Sequence, residues 1–256
     1  MGFFRRTAPP VDRASAITSF HLDGEHLPVL VRENDRAKRF TLRLDKTGAG
    51  LTITVPSGAR RGPVETFLSR HAGWIATQRV KRPPALTPAD GALIPIRGVP
   101  HRIRHQIGRG TTHVRQDAGH VRQDAGAEMR LHVFGDAAHL GRRVGDYLKR
   151  QAKLDLERLS LSHAASLGVK PNRIVMRDTS SRWGSCSSTG TLSYSWRIVI
   201  APPEIIDYLA AHEVAHLREM NHGPGFWALV ERVCPDYNAH RQWLKQHGKS
   251  LHAWQF

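Results

Sequence analysis

Short runs of alternating apolar and polar residues fill the first third of the chain, and helical spacing takes over later. The alternation predicts strands near 16–22, 27–32, 39–45 and 50–55, with Asp23-Gly24 as a hairpin turn. Residues 62–81 read as a helix with Pro63 near its start. Val64, Phe67, Leu68, His71, Trp74, Ile75 and Gln78 are spaced along its face, and Trp74 is assigned to the core. Pro83-Pro84 through Asp90-Gly91 reads as a linker, and further strands of a mostly antiparallel sheet are predicted near 93–97, 101–107 and 129–134. Between the last two, His113-Val114-Arg115-Gln116-Asp117-Ala118-Gly119 recurs unchanged as 120–126, which reads as a duplicated surface hairpin. The period becomes helical over 138–167, with Gly168 as its end. Strands follow at 174–176 and 191–200, then helices from Pro202-Pro203-Glu204 onward and over 225–233 and 236–247. Phe226, Trp227, Leu229, Val230 and Trp243 are assigned to the core stripe of the last two helices.

This order of elements predicts an α+β protein. Its expected divisions are a proline- and arginine-rich, disordered N-terminus over 1–14, a β-rich basic region over 15–135, and a helical domain over 136–256. Composition adds little beyond charge. At 256 residues, 40% hydrophobic and 23% charged, the chain has the profile of an ordinary soluble protein. No apolar run approaches the roughly twenty residues of a membrane span, and no secretory leader is evident, so a cytoplasmic location is expected. Cys186 and Cys234 make no CxxC and no disulfide framework, in keeping with two small buried residues in a reducing compartment. The net charge of +16 is concentrated early: residues 1–150 have 26 Lys and Arg against 13 Asp and Glu. Such a half could attract an acidic partner or nucleic acid, but no nucleic-acid motif accompanies the charge, so arginine-rich solvated faces are the favoured reading.

The chemistry is concentrated in His212-Glu213-Val214-Ala215-His216. At about 100° per residue, His212 and His216 fall within roughly 40° of each other, one helical turn apart, as two preset metal ligands. Catalytic zinc takes three protein ligands and keeps a fourth position for water, whose pKa falls to about 7. Glu213 is then placed to take that proton. His222 is the nearest candidate for the third ligand, with Glu231 and Asp236 as alternatives. It can serve only if the helix breaks first. Asn221 tolerates a left-handed conformation and Gly223-Pro224-Gly225 forbids continuation. The HExxHxxGxxH spacing is met in part, since Glu219 stands at its glycine and no methionine follows Met220. A second cluster from His101, His105, His113 and His120 lacks a rigid spacing, and Cys186 is not needed as a ligand.

An ordered series of motifs surrounds that helix: Ser181-Arg182-Trp183-Gly184-Ser185-Cys186-Ser187, Trp196-Arg197, Ala201-Pro202-Pro203, Asp207-Tyr208, HEVAHL, Asn221-His222 and Phe226-Trp227. Over at least residues 173–247 it resembles the YgjP-like metallopeptidase family, with Gly223 standing where that family typically has serine. The resemblance implies a zincin-like C-terminal part, zinc held by His212, His216 and His222, Glu213 as the catalytic carboxylate, and a peptide or protein substrate. In that architecture the strand at 191–200 would lie beside the metal helix and could pair with an extended peptide. Arg197, Tyr194, Tyr237 and His240 are candidates for stabilising the transition state. The rival expectation is a non-catalytic, zinc-containing, nucleic-acid-associated binding module, against which the carboxylate of Glu213 argues.

Overall fold

The structure, a computed structural model, describes residues 12–45, 48–80, 85–117, 128–179 and 181–256. Most of the N-terminus expected to be disordered, and the second copy of the HVRQDAG repeat, lie outside them. Within the first expectation, Ala14 is an exception: it is buried and its N–H donates to the Ala59 carbonyl at 2.9 Å.

Contacts divide the chain into two compact units at 84/85. In the first, β1 (Ser19–Leu22), β2 (Glu25–Glu33), β3 (Thr41–Leu44) and β4 (Leu51–Val55) form a sheet in the order β1-β2-β4-β3. The two central strands run parallel and each outer strand is antiparallel to its neighbour. Asp23-Gly24 makes the two-residue turn between β1 and β2 with φ of 49° and 85°, the positive pair a type I′ turn requires. The helix predicted over 62–81 is two helices, α1 (Arg61–Arg70) and α2 (Ala72–Val80), separated at His71. Val64, Leu68 and Ile75 lie on one face and are fully buried against Leu51, Ile53 and Val55. Trp74 is 44% exposed, which corrects its assignment to the core. It sits one residue, about 100°, off the Val64-Leu68-Ile75 stripe.

In the second unit, β5 (Leu93–Ile96), β6 (Val99–Gln106), β7 (His113–Asp117) and β8 (Glu128–Phe134) form a sheet ordered β5-β6-β8-β7. Residues 113–117 of the first repeat copy are the edge strand β7, paired antiparallel with β8 on the rim of this sheet. The boundary expected at 135/136 is not where the structure divides. Ile94, Ile103, Leu131 and Val133 from this sheet share one core with Leu148, Leu156, Ile206 and Val214 from the helices that follow. An apolar strand shows that it faces a core without showing which core.

The long helix α3 (Leu140–Leu167) ends at Gly168 in the left-handed conformation, φ 67°, as its sequence predicts. Next come β9 (Arg173–Arg177), β10 (Gly184–Cys186) and β11 (Thr191–Ser195), a three-stranded sheet with β11 in the middle. The strand expected to reach residue 200 stops at Ser195, because Trp196–Ile200 coil into a 3-10 turn. The chain closes with α4 (Pro203–Ala215), α5 (Pro224–Val233) and α6 (Tyr237–Leu251). Pro203 opens α4 with Glu204 in its first turn, where a missing N–H costs nothing and a negative charge is favoured. His163 on α3 bonds Asp207 on α4 at 2.8 Å, holding the two helices together one turn ahead of the histidines. Among the described residues no helix is long and apolar enough to cross a membrane.

Candidate metal centre

Helix α4 carries His212 and Glu213 in its last turn, and His216 caps it. The Nε2 atoms of His212 and His216 each lie 3.1 Å from the Nε2 of His222. Three ring nitrogens cannot all hydrogen-bond one another in this arrangement. Nitrogens bound to one tetrahedral zinc at 2.0–2.1 Å would stand about 3.3–3.4 Å apart, so the cluster fits a common cation. Among the described residues this is the one group of three or more potential ligands within 4.8 Å of one another. Glu231 and Asp236 are not in it. Nor are Cys186, or His101, His105 and His113, whose rings bond the carbonyls of Val99, Gly135 and Thr111 instead.

The imidazoles of His212 and His216 are held neutral, with lone pairs free to bind a metal. Burial, reinforced by His216 and His222, depresses His212 to about 3, and burial also lowers His216. His216 Nδ1 lies 2.9 Å from the Glu219 carbonyl, where Nδ1–H donates and leaves Nε2 as the ligand atom. That bond explains why Glu219 can replace a glycine: it contributes its backbone, and its φ is not positive. The chain also turns differently from expectation. Asn221 is not left-handed; Asp23 and Arg97 are the only such non-glycine residues among those described. Instead Leu217 and Arg218 tighten the helix end through N–H bonds to Val214 and Ala215, and Gly223 continues extended into Pro224. Trp227 Nε1 donates to the His222 carbonyl at 3.1 Å and fixes the returning loop.

Phe226, read from sequence as core, has a second role. Its fully buried ring lies 4.4–4.9 Å from the ring centroids of all three histidines and forms the floor beneath them. Its place at the start of α5 immediately after the helix breaker was the available signal.

Glu213 is 4% exposed, and its Oε2 has no hydrogen-bond partner. Burial pushes its carboxyl up to about 8, with the Arg182 charge opposing. Such an atom is costly unless something occupies the space before it. The carboxyl rests on Gly184 of β10, where an added Cβ would stand 2.6 Å from Glu213 Cδ. The β10 strand also corrects the expected substrate edge. Strand β11 is flanked by β10 and β9 on its two sides, so it has no free edge. Pairing to β11 runs through Trp183 and Ser187 and the opposed Ser185, leaving the backbone groups of Gly184 and Cys186 directed outward.

Two of the candidates for transition-state stabilisation are otherwise committed. Tyr194 is fully buried with its hydroxyl 2.9 Å from Ser160 Oγ. Arg197 forks onto Asp178 and donates to the Trp254 carbonyl at 2.6 Å. Tyr237 stacks on Trp227 at 5.2 Å, one ring removed from the histidines.

Three imidazoles converging at the end of a helix that also carries a buried carboxyl are a donor set fit for a metallohydrolase. The chain belongs to the YgjP-like family: the family model described as YgjP-like, metallopeptidase domain, matches residues 38–247. No curated protein matches. Two solved structures align in part. The metallopeptidase zymogen abylysin of Pyrococcus abyssi is 23% identical, over 36% of this chain and 93% of that one, with a TM-score of 0.33. The zymogen jannalysin of Methanocaldococcus jannaschii is 19% identical, over 34% and 93%, at 0.29. Scores this low add no weight to the assignment.

Proposed function

We propose that the protein is a zinc-dependent peptidase in which His212, His216 and His222 hold the metal and Glu213 is the general base. The observation that carries the reading is the convergence of three Nε2 atoms at the end of α4, where the neighbouring Glu213 has a buried Oε2 without a hydrogen-bond partner. Zinc bound there supplies Lewis acidity toward the scissile carbonyl and lowers the pKa of the attacking water.

The chain's own residues do the rest. Glu213 takes a proton from the water and passes it to the leaving amine. Burial raises the carboxyl's proton affinity, which favours a group that both accepts and returns a proton. Gly184 leaves room for that carboxyl, and the outward backbone groups of Gly184 and Cys186 offer an edge on which an extended peptide can pair. Phe226 excludes water from beneath the imidazoles. A purely structural zinc site has no use for Glu213, which separates this reading from that of a nucleic-acid-associated binding module.

The test is Glu213→Gln, nearly isosteric but unable to take a proton. It should keep the fold and one zinc per chain while turnover of a cleaved peptide drops at least about a hundredfold. Equal rates in wild type and variant would overturn the assignment of the base.

A further inference from the structure

Helix α6 carries Arg241, Lys245 and Lys249 at intervals of four, on one face, and no Asp or Glu occurs between Tyr237 and Leu251. Like charges at this spacing destabilise a helix, so the row is unfavourable to folding by itself. It borders a cavity of about 360 Å³ whose other walls include Arg182, Trp183 and Tyr208. Trp183 stacks on His252 at 4.5 Å and reaches α6 only because residue 248 is glycine, where a Cβ would stand 3.0 Å from its Nε1. Among the described residues no acidic side chain lines the cavity.

The cavity adjoins the metal centre on two sides. Tyr208, one turn before the first histidine, has its hydroxyl 3.5 Å from His212 Nδ1. Arg182 and Trp183 lead directly into β10, whose Gly184 touches Glu213. Arg182 and Trp183, which line the cavity, immediately precede β10 in the chain, so a side chain of a peptide laid along β10 can reach it.

We propose that the cavity bounded by Arg182, Trp183, Tyr208 and the Arg241-Lys245-Lys249 row of α6 is a substrate pocket for a carboxylate adjoining the scissile bond. The carboxylate is an Asp or Glu side chain or the substrate's free C terminus. This assignment rests on the peptidase reading and supplies its specificity. Exposed ion pairs are individually weak, so the discrimination comes from several cations acting together on one carboxylate at this open site, about tenfold in all.

The experiment measures anisotropy of labelled peptides on the zinc-loaded full chain carrying Glu213→Gln, so that binding is read without turnover. One scaffold is made with Glu, Gln or Lys at each position near its centre, and with a free or amidated C terminus. The Glu peptide should bind at least about tenfold more tightly than its Gln counterpart, with an advantage that shrinks as salt rises. If amidation rather than Glu→Gln removes the advantage, the carboxylate is the C terminus. Adding Lys245→Glu and Lys249→Glu should erase the preference while zinc content stays at one per chain. The milder Lys245→Gln with Lys249→Gln should reduce it below about threefold. Equal binding of all peptides, or a preference that survives both lysine pairs of changes, overturns the pocket. So does a single-stranded oligonucleotide that binds through these lysines while the peptides are not discriminated. Failure of the peptidase reading is visible separately, as wild type that cleaves none of the peptides.

Discussion

The two four-stranded sheets of this chain have the same topology: an antiparallel hairpin, two central parallel strands, and a second antiparallel edge. Even their first turns match, with both central residues at positive φ, Asp23-Gly24 at 49° and 85° and Arg97-Gly98 at 51° and 75°. What differs is what each turn touches. Asp-Gly adopts this conformation readily. Arginine does not, at roughly 1–2 kcal/mol for an ordinary side chain, and Arg97 is held there by partners. Its guanidinium forks onto Asp155 at 2.7 and 3.0 Å and reaches Gln151 at 2.9 Å on α3, and its N–H donates to the Val199 carbonyl at 2.7 Å. Gly98 beside it lies so close to Pro202 that a Cβ would stand 3.1 Å from Pro202 Cα. The first sheet closes a core of its own, whereas the second is built into the scaffold from which the metal helix starts.

The largest contrast is expected in the cores. Ile53 and Ile103 are both fully buried, one in each sheet. Truncating either to Ala should cost about 2–5 kcal/mol. Only Ile103→Ala should also weaken zinc retention, since Ile103 packs in the core that supports α4. Thermal denaturation with metal analysis checks this, and equal metal loss in Ile53→Ala would remove the functional distinction between the sheets.

The turns should differ less. Arg97→Asn keeps a residue that tolerates positive φ but deletes the fork onto Asp155. With the Arg97 side chain 38% exposed, solvent screening limits the expected loss to about 1–2 kcal/mol. Asp23→Asn should change the denaturation midpoint hardly at all, and a comparable loss at both turns would show that the docking of Arg97 contributes nothing.

The smallest effect is expected for deletion of residues 120–126. The remaining HVRQDAG copy can still supply the edge strand β7, and shortening the β7–β8 connection roughly threefold alters closure entropy by only about 1 kcal/mol. Melting temperature and zinc content should stay nearly unchanged, and a drop of many degrees would give the second copy a structural role.

Much of this arrangement was readable in the chain. The spacing of His212, Glu213 and His216 specifies a shared face through helical geometry alone, and Pro202-Pro203-Glu204 marks where that helix starts. Strand alternation located the sheets, because period two separates buried from exposed faces. It did not reveal that β2 pairs with β4, or that Ile94 and Ile103 belong to the helical core, because alternation says nothing about partners. The site's support was less legible still. His222 returns through backbone bonds at Leu217 and Arg218 rather than through a left-handed Asn221, and no residue preference encodes such bonds. Arg97 at positive φ runs against its own propensity, and only Asp155, 58 residues away, accounts for it.

The central claim is that three histidines and no carboxylate hold the metal. Wild type, His222→Ala, Glu231→Ala and Asp236→Ala should each be loaded with zinc, dialysed against a weak chelator and analysed for metal. The account predicts one zinc per chain in wild type and in both carboxylate variants, with zinc largely lost from His222→Ala. Zinc retained without His222, together with zinc lost on changing Glu231 or Asp236, would contradict it.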